Sequence, residues 1–299
     1  MPLLTESDVA TDTARAWFAD ELRHTARVQS PAVVEAFATV PRERFSGPGP
    51  WRLLSPMRMA DYWTTEDADP RHLYHDVLVA IDETRRLNNG QPSLWACLYD
   101  QLDLVGGNHV VHVGVGAGYY TAILAEIVGS AGYVTAIEID PSLAERARSN
   151  LAAWSQVAVI TADGFTFQPE RPADAIIINA GVSHLSLAWL DCLSAENGRL
   201  LVPLTNAEWW GAFLLITRTA SGTQRYSAKF VSRTGVIACV GGRDAEAEAR
   251  LATALQKSPF TAIQSLRRAP EEPDDTCWLA RNGWWLSTSP VFDGDEREA

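Results

Sequence analysis

Three glycines and one carboxylate have a spacing typical of a nucleotide or nucleoside site. The glycines are Gly114, Gly116 and Gly118, and Glu138 follows about 20 positions later, at the end of an apolar run. Glycine lets the backbone turn sharply and approach a ligand, because it has no Cβ. A carboxylate can accept hydrogen bonds from both hydroxyls of a ribose. The spacing is G-x-G-x-G rather than the G-x-G-x-x-G of dinucleotide sites, which favours a ligand with a single ribose.

The residues around these glycines predict the elements that position them. Val110–Val113 is suited to a buried parallel strand, Tyr119–Val128 has helical spacing, and Tyr133–Ile137 is a second apolar run. Together they predict a βαβ unit with the glycines in its first turn. Alone, the glycines would indicate only a tight turn. The strands, the helix and the carboxylate around them favour a binding site.

The same alternation continues after this unit and predicts an α/β fold. Pro141 begins a helix, and a second helix is predicted over Leu185–Leu193. Three further buried strands are predicted at Val157–Thr161, Ala175–Ile178 and Arg199–Val202. We therefore expect a mostly parallel central sheet with helices on both faces and ligands at the carboxyl ends of its strands.

Polar residues and glycines follow several of these strands. Asp163 and Gly164 come after one strand and Asn179 after the next, so we expect them at the same end of the sheet as Glu138. This convergence is stronger than any single motif. His184 lies a few residues beyond Asn179, where it either touches an acceptor or is an ordinary loop or capping residue.

The flanking regions are predicted from weaker patterns. Thr11–Gln29 has the spacing of an amphipathic helix, and Ser30 and Pro31 begin another. Ser46–Asp76 has no clear period, so we expect irregular structure there, as in lids and binding loops. The segment Leu87–Ser93 has polar residues that either face a ligand or only cap the helix that follows.

The C-terminal part is predicted to add antiparallel strands and one helix. Gly211–Thr217 and Tyr226–Val231 are expected as antiparallel additions at the edge of the sheet. Asp244–Gln256 is predicted as a helix, and Cys277–Leu286 as two strands about an Asn-Gly turn. The residues from Asp293 to Ala299 are expected to be a frayed acidic tail.

Composition narrows the class of protein. The 299 residues are 46% hydrophobic and 21% charged, as in soluble globular proteins. The net charge of −12 argues against binding nucleic acid over a broad surface. No segment resembles a membrane span or a secretion signal, and neither the cysteines nor the histidines have metal-ligand spacing. We therefore expect a cytoplasmic protein with free buried thiols and with no nucleic-acid, membrane or metal partner.

Several motifs together resemble a known family. The chain resembles the class I S-adenosylmethionine-dependent methyltransferases, and most closely the protein-L-isoaspartate O-methyltransferase family, which implies a Rossmann-like fold. The resemblance covers roughly Ala14 to Leu204. The motifs that carry it are VPRERF (40–45), YHD (74–76), GQPS (90–93), HVGVGAGYYTAILAEIVG (112–129), AIEID (136–140), ADG (162–164), ADAIIINAG (173–181) and GRLLVPL (198–204).

The resemblance implies a role for each candidate residue. The three glycines would lie against the methionine part of S-adenosylmethionine, Glu138 would hold its ribose, and Asp163 with Gly164 would border its adenine. Gln91 and Ser93 of the GQPS motif would lie beside the transferred methyl group, near the acceptor carboxylate, as the catalytic residues. The cofactor-binding residues that we predict are His112, Gly114, Gly116, Gly118, Tyr119, Glu138, Asp163, Gly164 and Asn179.

The sequence also departs from the family pattern. His112 stands where the family usually has an acidic residue, and Pro92 stands in the Thr position of Gly-Gln-Thr-x-Ser, which displaces Ser93 by one. Three hypotheses follow: an O-methyltransferase acting on a protein or peptide carboxylate of the isoaspartyl type, a methyltransferase dedicated to a natural-product peptide or a small molecule, and a non-catalytic cofactor-binding protein.

We divide the sequence into three parts on the same grounds. Residues 1–76 would hold N-terminal helices and an irregular substrate-side segment, residues 77–217 the Rossmann-like methyltransferase core, and residues 218–299 a C-terminal extension with the acidic tail.

Overall fold

The computed structural model describes residues 6–219 and 225–291. The acidic tail predicted at Asp293–Ala299 lies outside the described residues. The described chain divides into two compact units. Unit 1 is the chain up to Asn108 together with Val115–Thr161, and unit 2 is His109–Gly114 together with the chain from Ala162 onward. The three-part division of the sequence stays a prediction.

Helices and strands alternate through the middle of the chain. The helices are α1 (Glu6–Thr25), α2 (Pro31–Thr39), α3 (Glu43–Ser46), α4 (Pro92–Asp100), α5 (Tyr119–Val128), α6 (Pro141–Leu151), α7 (Leu187–Asp191) and α8 (Ala245–Lys257). The strands are β1 (Arg52–Ser55), β2 (Arg58–Thr64), β3 (Leu78–Asp82), β4 (Leu87–Asn88), β5 (His109–Val113), β6 (Tyr133–Glu138), β7 (Val157–Thr161), β8 (Ala175–Ile178), β9 (Arg199–Thr205), β10 (Trp210–Arg218), β11 (Arg225–Gly235), β12 (Ser265–Arg268), β13 (Cys277–Arg281) and β14 (Trp284–Ser287). Short 3-10 helices cover Pro70–Leu73 and Phe260–Ala262.

The N-terminal helices of unit 1 follow the predicted signals. Pro31 is the first residue of α2, and the Ser30 hydroxyl accepts the N–H of Val33 at 3.4 Å, so the polar cap and the proline together set the start of this helix. Helix α2 packs on α5, where Phe37 and Tyr119 meet edge to face with ring centroids 6.3 Å apart. The helix predicted at Thr11–Gln29 is α1, which begins earlier and ends at Thr25.

The irregular structure expected at Ser46–Asp76 is wrong. The segment contains β1 and β2, which join β3 and β4 in a four-stranded antiparallel sheet of order β2-β1-β3-β4. Trp51, Leu53, Leu73 and Val79 form its buried cluster. Strand β1 has only four residues, too few to show a period, and pairings such as Leu53 with Val79 join residues far apart in sequence.

Unit 1 also contains the predicted helix and second strand of the βαβ unit. Helix α5 has the predicted bounds, and β6 pairs in parallel with β7 from Val134 opposite Val157 to Glu138 opposite Thr161. Helix α6 begins at Pro141, where the Asp140 carboxylate accepts the N–H groups of Ser142 and Leu143. Both α5 and α6 pack against β6. Glu138 is therefore the last residue of the apolar strand β6 and lies at its carboxyl end.

Unit 2 contains the first strand of the βαβ unit and the later strands. Its strands follow the order β13-β14-β12-β11-β10-β9-β8-β5. Strands β5, β8 and β9 are parallel, and the others pair antiparallel. The predicted α/β class and the antiparallel additions β10 and β11 are confirmed. The sheet is partly parallel, because β12, which the sequence did not predict, joins the predicted β13–β14 hairpin to β11 in the same sheet.

The elements from α8 to β14 follow their local turn and cap signals. Asp244 caps α8 by accepting the N–H of Ala247 at 2.7 Å, and β13 and β14 form the predicted hairpin about Gly283, whose φ is +88°. All four cysteines are free, but only Cys239 is buried. Among the described residues there is no helix that could span a membrane and no acidic, His or Cys cluster that could hold a metal.

Candidate active site

Glu138 is buried against the glycine turn of unit 1. The residue is 6% exposed, and its two carboxylate oxygens accept the N–H groups of Gly116 at 2.8 Å and Asp140 at 3.1 Å. Each carboxylate oxygen has two acceptor sites, so each keeps one after these bonds. Two hydroxyls could therefore be added without displacing either backbone group. This carboxylate fits the ribose of the predicted cofactor.

Gly118 and Tyr119 start helix α5, and their surroundings belong to the fold. Gly118 has a φ of +96°, and a Cβ there would lie 2.9 Å from Cδ1 of Leu151 in α6, so the position requires glycine for its conformation and for helix packing. The Tyr119 ring is fully buried against Phe37 and Phe45. The part of Tyr119 that remains available for the predicted cofactor is the backbone at the start of α5.

Gly114 and Asn179 meet in unit 2 at the ends of neighbouring parallel strands. The Asn179 amide donates to the Gly114 carbonyl at 3.1 Å, and its backbone N–H donates to Val113 at 2.8 Å. A Cβ on Gly114, whose φ is +79°, would lie 3.1 Å from the Asn179 carbonyl oxygen. The structure thus brings together two of the predicted residues, and the glycine permits their close approach.

Asp163 and Gly164 form the turn after β7. The Asp163 carboxylate accepts the N–H of Phe165 at 2.9 Å, and the Gly164 carbonyl accepts the indole N–H of Trp189 at 2.9 Å. A Cβ on Gly164 would lie 2.2 Å from Cγ1 of Val113, so no side chain fits there. These contacts hold the half-buried Asp163 beside the end of β5.

His112 lies within β5, opposite Ile177 of β8, and its side chain is fully buried. Burial lowers the pKa of its imidazole to about 3, so the ring is neutral at pH 7. The ring therefore offers neither the charge nor the exposure of the carboxylate that the family usually has at this position. His112 itself stays a predicted cofactor residue, and any contact would have to come from the edge of this buried ring.

The GQPS residues are joined by Asp76, which the sequence analysis did not assign to the site. The Asp76 carboxylate accepts the Ser93 N–H at 2.8 Å, the Ser93 hydroxyl at 2.7 Å and the Gln91 amide at 2.8 Å. The Gln91 amide also donates to the Ser93 hydroxyl oxygen at 2.9 Å. The signal in the sequence was the YHD motif, which contains Asp76. The structure brings both predicted catalytic residues into one network, and Pro92 occupies the first turn of α4.

Arg42 fixes the segment that carries Asp76. Its fully buried guanidinium donates to the carbonyls of Leu73 at 2.6 Å, His75 at 3.0 Å and Val77 at 2.6 Å. These carbonyls lie on both sides of Asp76. A buried charge is tolerated when it is well hydrogen-bonded, and here the bonds hold one backbone segment in a single conformation.

Two further side chains border the candidate residues. Ile139 directly follows Glu138 and is 44% exposed, which leaves an apolar surface beside the carboxylate. In unit 2, His184 stacks edge to face on Phe165 and lies 3.6 Å from the Asp244 carboxylate. Burial lowers the pKa of His184, and Arg281 lowers it further. The contact with Asp244 ties His184 to the cap of α8.

Comparisons with known proteins show the family of this chain and agree with its fold. The family model "Protein-L-isoaspartate(D-aspartate) O-methyltransferase" matches residues 14–234. The protein-L-isoaspartate O-methyltransferase of Gloeobacter violaceus is 30% identical over 221 residues, which are 72% of this chain and 96% of that protein. Protein-L-isoaspartate O-methyltransferase 2 of Archaeoglobus fulgidus is 33% identical over 181 residues, which are 56% of this chain and 81% of that protein.

Solved structures share the fold at low sequence identity. A structure of a protein-L-isoaspartate O-methyltransferase aligns with a TM-score of 0.62 at 19% identity, covering 91% of this chain and 87% of that one. A putative protein-L-isoaspartate O-methyltransferase from Plasmodium falciparum, in complex with S-adenosyl-L-homocysteine, aligns with a TM-score of 0.57 at 18% identity, covering 75% and 97%.

The family match and the shared fold define an S-adenosylmethionine-dependent methyltransferase with a mixed α/β fold. Because the family model matches 221 of 299 residues, the chain belongs to the protein-L-isoaspartate O-methyltransferase family. The match ends at residue 234, so α8 and the strands β12, β13 and β14 lie beyond it.

Proposed function

We propose that this enzyme transfers the methyl group of S-adenosylmethionine to the carboxylate of an isoaspartyl residue in a protein or peptide. The family membership supports the reaction and the acceptor class. The observation that carries the proposal is the buried Glu138 carboxylate, which two backbone N–H groups hold with acceptor sites to spare.

The reaction places modest demands on the protein. The cofactor supplies an electrophilic methyl group on a sulfonium, which a nucleophile displaces in line. An acceptor carboxylate has an unperturbed pKa of about 4, so it is already ionised at neutral pH and needs no general base. The protein has to align the acceptor carboxylate with the methyl group and the sulfonium, and to keep water away from the carboxylate.

We assign the cofactor side to Glu138 and the glycine turns. Glu138 would accept hydrogen bonds from the two ribose hydroxyls, and the exposed Ile139 beside it offers an apolar contact for an adjoining ring. Gly114, Asp163, Gly164 and Asn179 stay the predicted residues for the rest of the cofactor. Their close packing and hydrogen bonds give each of them a fixed position. Fixed positions are required of residues that align a cofactor with its acceptor.

We assign the acceptor side to Gln91 and Ser93. Asp76 accepts hydrogen bonds from both side chains, and Arg42 fixes the backbone around Asp76. Asp76 would therefore position the two residues without itself touching the acceptor. An anionic acceptor would then meet a hydroxyl and an amide whose orientations are set in advance.

The altered loop favours one second candidate, a dedicated peptide whose aspartyl side chain accepts the methyl group. Pro92 in the GQPS loop and the four-stranded sheet of residues 52–88 are the features behind it. Both candidates use a carboxylate nucleophile, so they differ in substrate and share the chemistry.

One experiment separates the two candidates. The protein is incubated with radiolabelled S-adenosylmethionine and either an isoaspartyl peptide or its aspartyl counterpart of the same sequence. We expect base-labile label on the isoaspartyl peptide alone. Transfer to the aspartyl peptide would favour the second candidate, and transfer to neither peptide by a folded, cofactor-binding protein would refute the proposed acceptor.

A further inference from the structure

The β3–β4 hairpin of unit 1 lies against the glycine turn that holds Glu138. A Cβ built on Gly116 would lie 3.1 Å from Cδ1 of Ile81, the fourth residue of β3. The N–H of the same Gly116 donates to the Glu138 carboxylate at 2.8 Å. Ile81 is half-buried, so part of its side chain remains available to a ligand on this turn. One apolar side chain of the hairpin therefore borders the residue that presents the carboxylate.

A second contact joins the hairpin to the other oxygen of the same carboxylate. Arg85, in the turn between β3 and β4, donates from Nη1 to Oδ2 of Asp140 at 2.7 Å. The N–H of Asp140 donates in turn to Oε1 of Glu138 at 3.1 Å. Arg85 holds the pKa of the Asp140 carboxyl below its usual range. The hairpin thus reaches Glu138 from two sides, through Ile81 and Gly116 and through Arg85 and Asp140.

The turn presents Arg85 in a fixed position. The Asp82 carboxylate accepts the N–H groups of Thr84 at 3.0 Å and Arg85 at 3.3 Å, and the Thr84 hydroxyl at 2.6 Å. This arrangement is a turn closed by an aspartate side chain. At the other end of the hairpin, the Tyr62 hydroxyl of β2 donates to Asn88 at 2.7 Å. These contacts hold the turn in the conformation in which Arg85 pairs with Asp140.

We propose that the β3–β4 hairpin is one wall of the ribose part of the cofactor site and that Arg85, paired with Asp140, holds the wall in place. Ile81 is the residue of the hairpin that touches the bound cofactor, and Arg85 is a positioning residue that acts through Asp140. The inference rests on the proposed use of Glu138 as the ribose carboxylate. It adds residues 78–88 to the site, of which only the segment from Leu87 onward was considered from the sequence.

The size of the expected effect depends on how exposed the Arg85–Asp140 ion pair is to solvent. The Arg85 and Asp140 side chains are 54% and 22% exposed, so the ion pair is partly screened by solvent. Exposed pairs contribute little, and we expect its loss to change cofactor dissociation by about 2- to 5-fold. Truncation of Ile81 to alanine removes an apolar contact and should have an effect of similar size.

The test is the dissociation rate of S-adenosylhomocysteine, measured by stopped-flow displacement, with its Kd from calorimetry. Arg85→Gln and Asp140→Asn each remove the ion pair, and asparagine at 140 keeps the cap of α6. We expect about 2- to 5-fold faster dissociation from each, no further increase in the double variant, and recovery in Arg85→Lys. The matched control is Arg52→Gln, which breaks the Arg52–Glu83 pair of the same sheet.

Three results would overturn the inference. One is an unchanged dissociation rate in both Arg85→Gln and Ile81→Ala. Another is equal acceleration in Arg52→Gln, which would indicate general loosening of the small sheet. A third is a double variant whose effect is the product of the two single effects, since Arg85 would then not act through Asp140. A wild-type protein that does not bind S-adenosylhomocysteine would instead refute the proposed cofactor function itself.

Discussion

Replacement of Glu138 by glutamine tests the cofactor assignment at a single atom. The carboxylate accepts one backbone N–H on each oxygen, from Gly116 at 2.8 Å and from Asp140 at 3.1 Å. Glutamine keeps one oxygen and replaces the other by an NH₂ group, which cannot accept from a backbone N–H or from a ribose hydroxyl. The Glu138→Gln variant therefore loses at least one charge-assisted hydrogen bond that a ribose hydroxyl would donate to the carboxylate.

The expected magnitude follows from the charge and burial of this group. Hydrogen bonds to charged groups contribute about 1.5–3 kcal/mol, and one such loss weakens binding roughly 10- to 150-fold. Glu138 is only 6% exposed, so water cannot readily replace the lost acceptor. The buried N–H that loses its acceptor also destabilises the fold by about 1–3 kcal/mol.

Calorimetry with S-adenosylhomocysteine measures the change in affinity, and circular dichroism confirms that the variant is folded. The matched control is Glu145→Gln in α6, which makes the same chemical change at a side chain that is 76% exposed and pairs only with Arg148 at 2.9 Å among the ion pairs of the described residues. The control should bind as the wild type does. A folded Glu138→Gln protein with wild-type affinity would refute the ribose assignment.

Three further predictions concern stability and the acceptor side. The His112 imidazole has a pKa of about 3 in the folded protein and about 6.5 in the unfolded chain. The unfolded chain therefore takes up a proton first as the pH falls. The stability that the neutral, buried ring contributes is complete above pH 6.5 and is lost below it. Between pH 6.5 and 5.0 this loss is about 2 kcal/mol, and urea unfolding of His112→Leu should lack it; an equal pH dependence in both proteins would contradict the assignment. Gly118→Ala should lower the free energy of unfolding by about 1–3 kcal/mol, more than Gly129→Ala, because both glycines have positive φ but only the first has a neighbour within 4 Å. Asp76→Asn should lower kcat/KM for an isoaspartyl peptide roughly 10- to 100-fold and leave the Kd of S-adenosylhomocysteine unchanged, as steady-state kinetics and calorimetry would measure; a parallel loss of cofactor affinity would place Asp76 elsewhere.

The elements with strong local signals were predictable from the sequence. Helix α5 matches its predicted bounds, and β5 begins one residue before the predicted Val110. In both cases the signal is local: a run of buried apolar residues within the strand, and a glycine directly before the helix. Helix α7 is shorter than predicted, at Leu187–Asp191, because its flanking residues join loops.

The four-stranded sheet of unit 1 could not be predicted in this way. Strand β1 has four residues, and its partner β3 lies more than twenty residues further along the chain. Sequence periodicity reports burial within one segment and carries no information about such a partner. The glycine, proline and tryptophan content of this region therefore indicated irregular structure where short paired strands exist.

The candidate site was predictable where its residues are close in sequence, and not where they are brought together only by tertiary structure. The proximity of Glu138 and Gly116 was predictable because a strand, a turn and a helix bring them together over a short stretch of sequence. Asp76 and Arg85 were missed as site residues, because their contacts with Ser93 and Asp140 depend on tertiary structure. Burial of His112 agrees with its place in the apolar run of β5, and its low pKa follows from that burial.

The most direct test of the proposed function is to locate the methyl ester on a peptide that contains one isoaspartyl and one aspartyl residue. Tandem mass spectrometry after a brief reaction with S-adenosylmethionine reports both carboxylates in the same molecule, so differences in peptide binding cancel. An isoaspartyl O-methyltransferase places the ester on the isoaspartyl residue and leaves the aspartyl residue free. An ester on the aspartyl residue, or no ester with a protein that binds S-adenosylhomocysteine, would contradict the proposed acceptor.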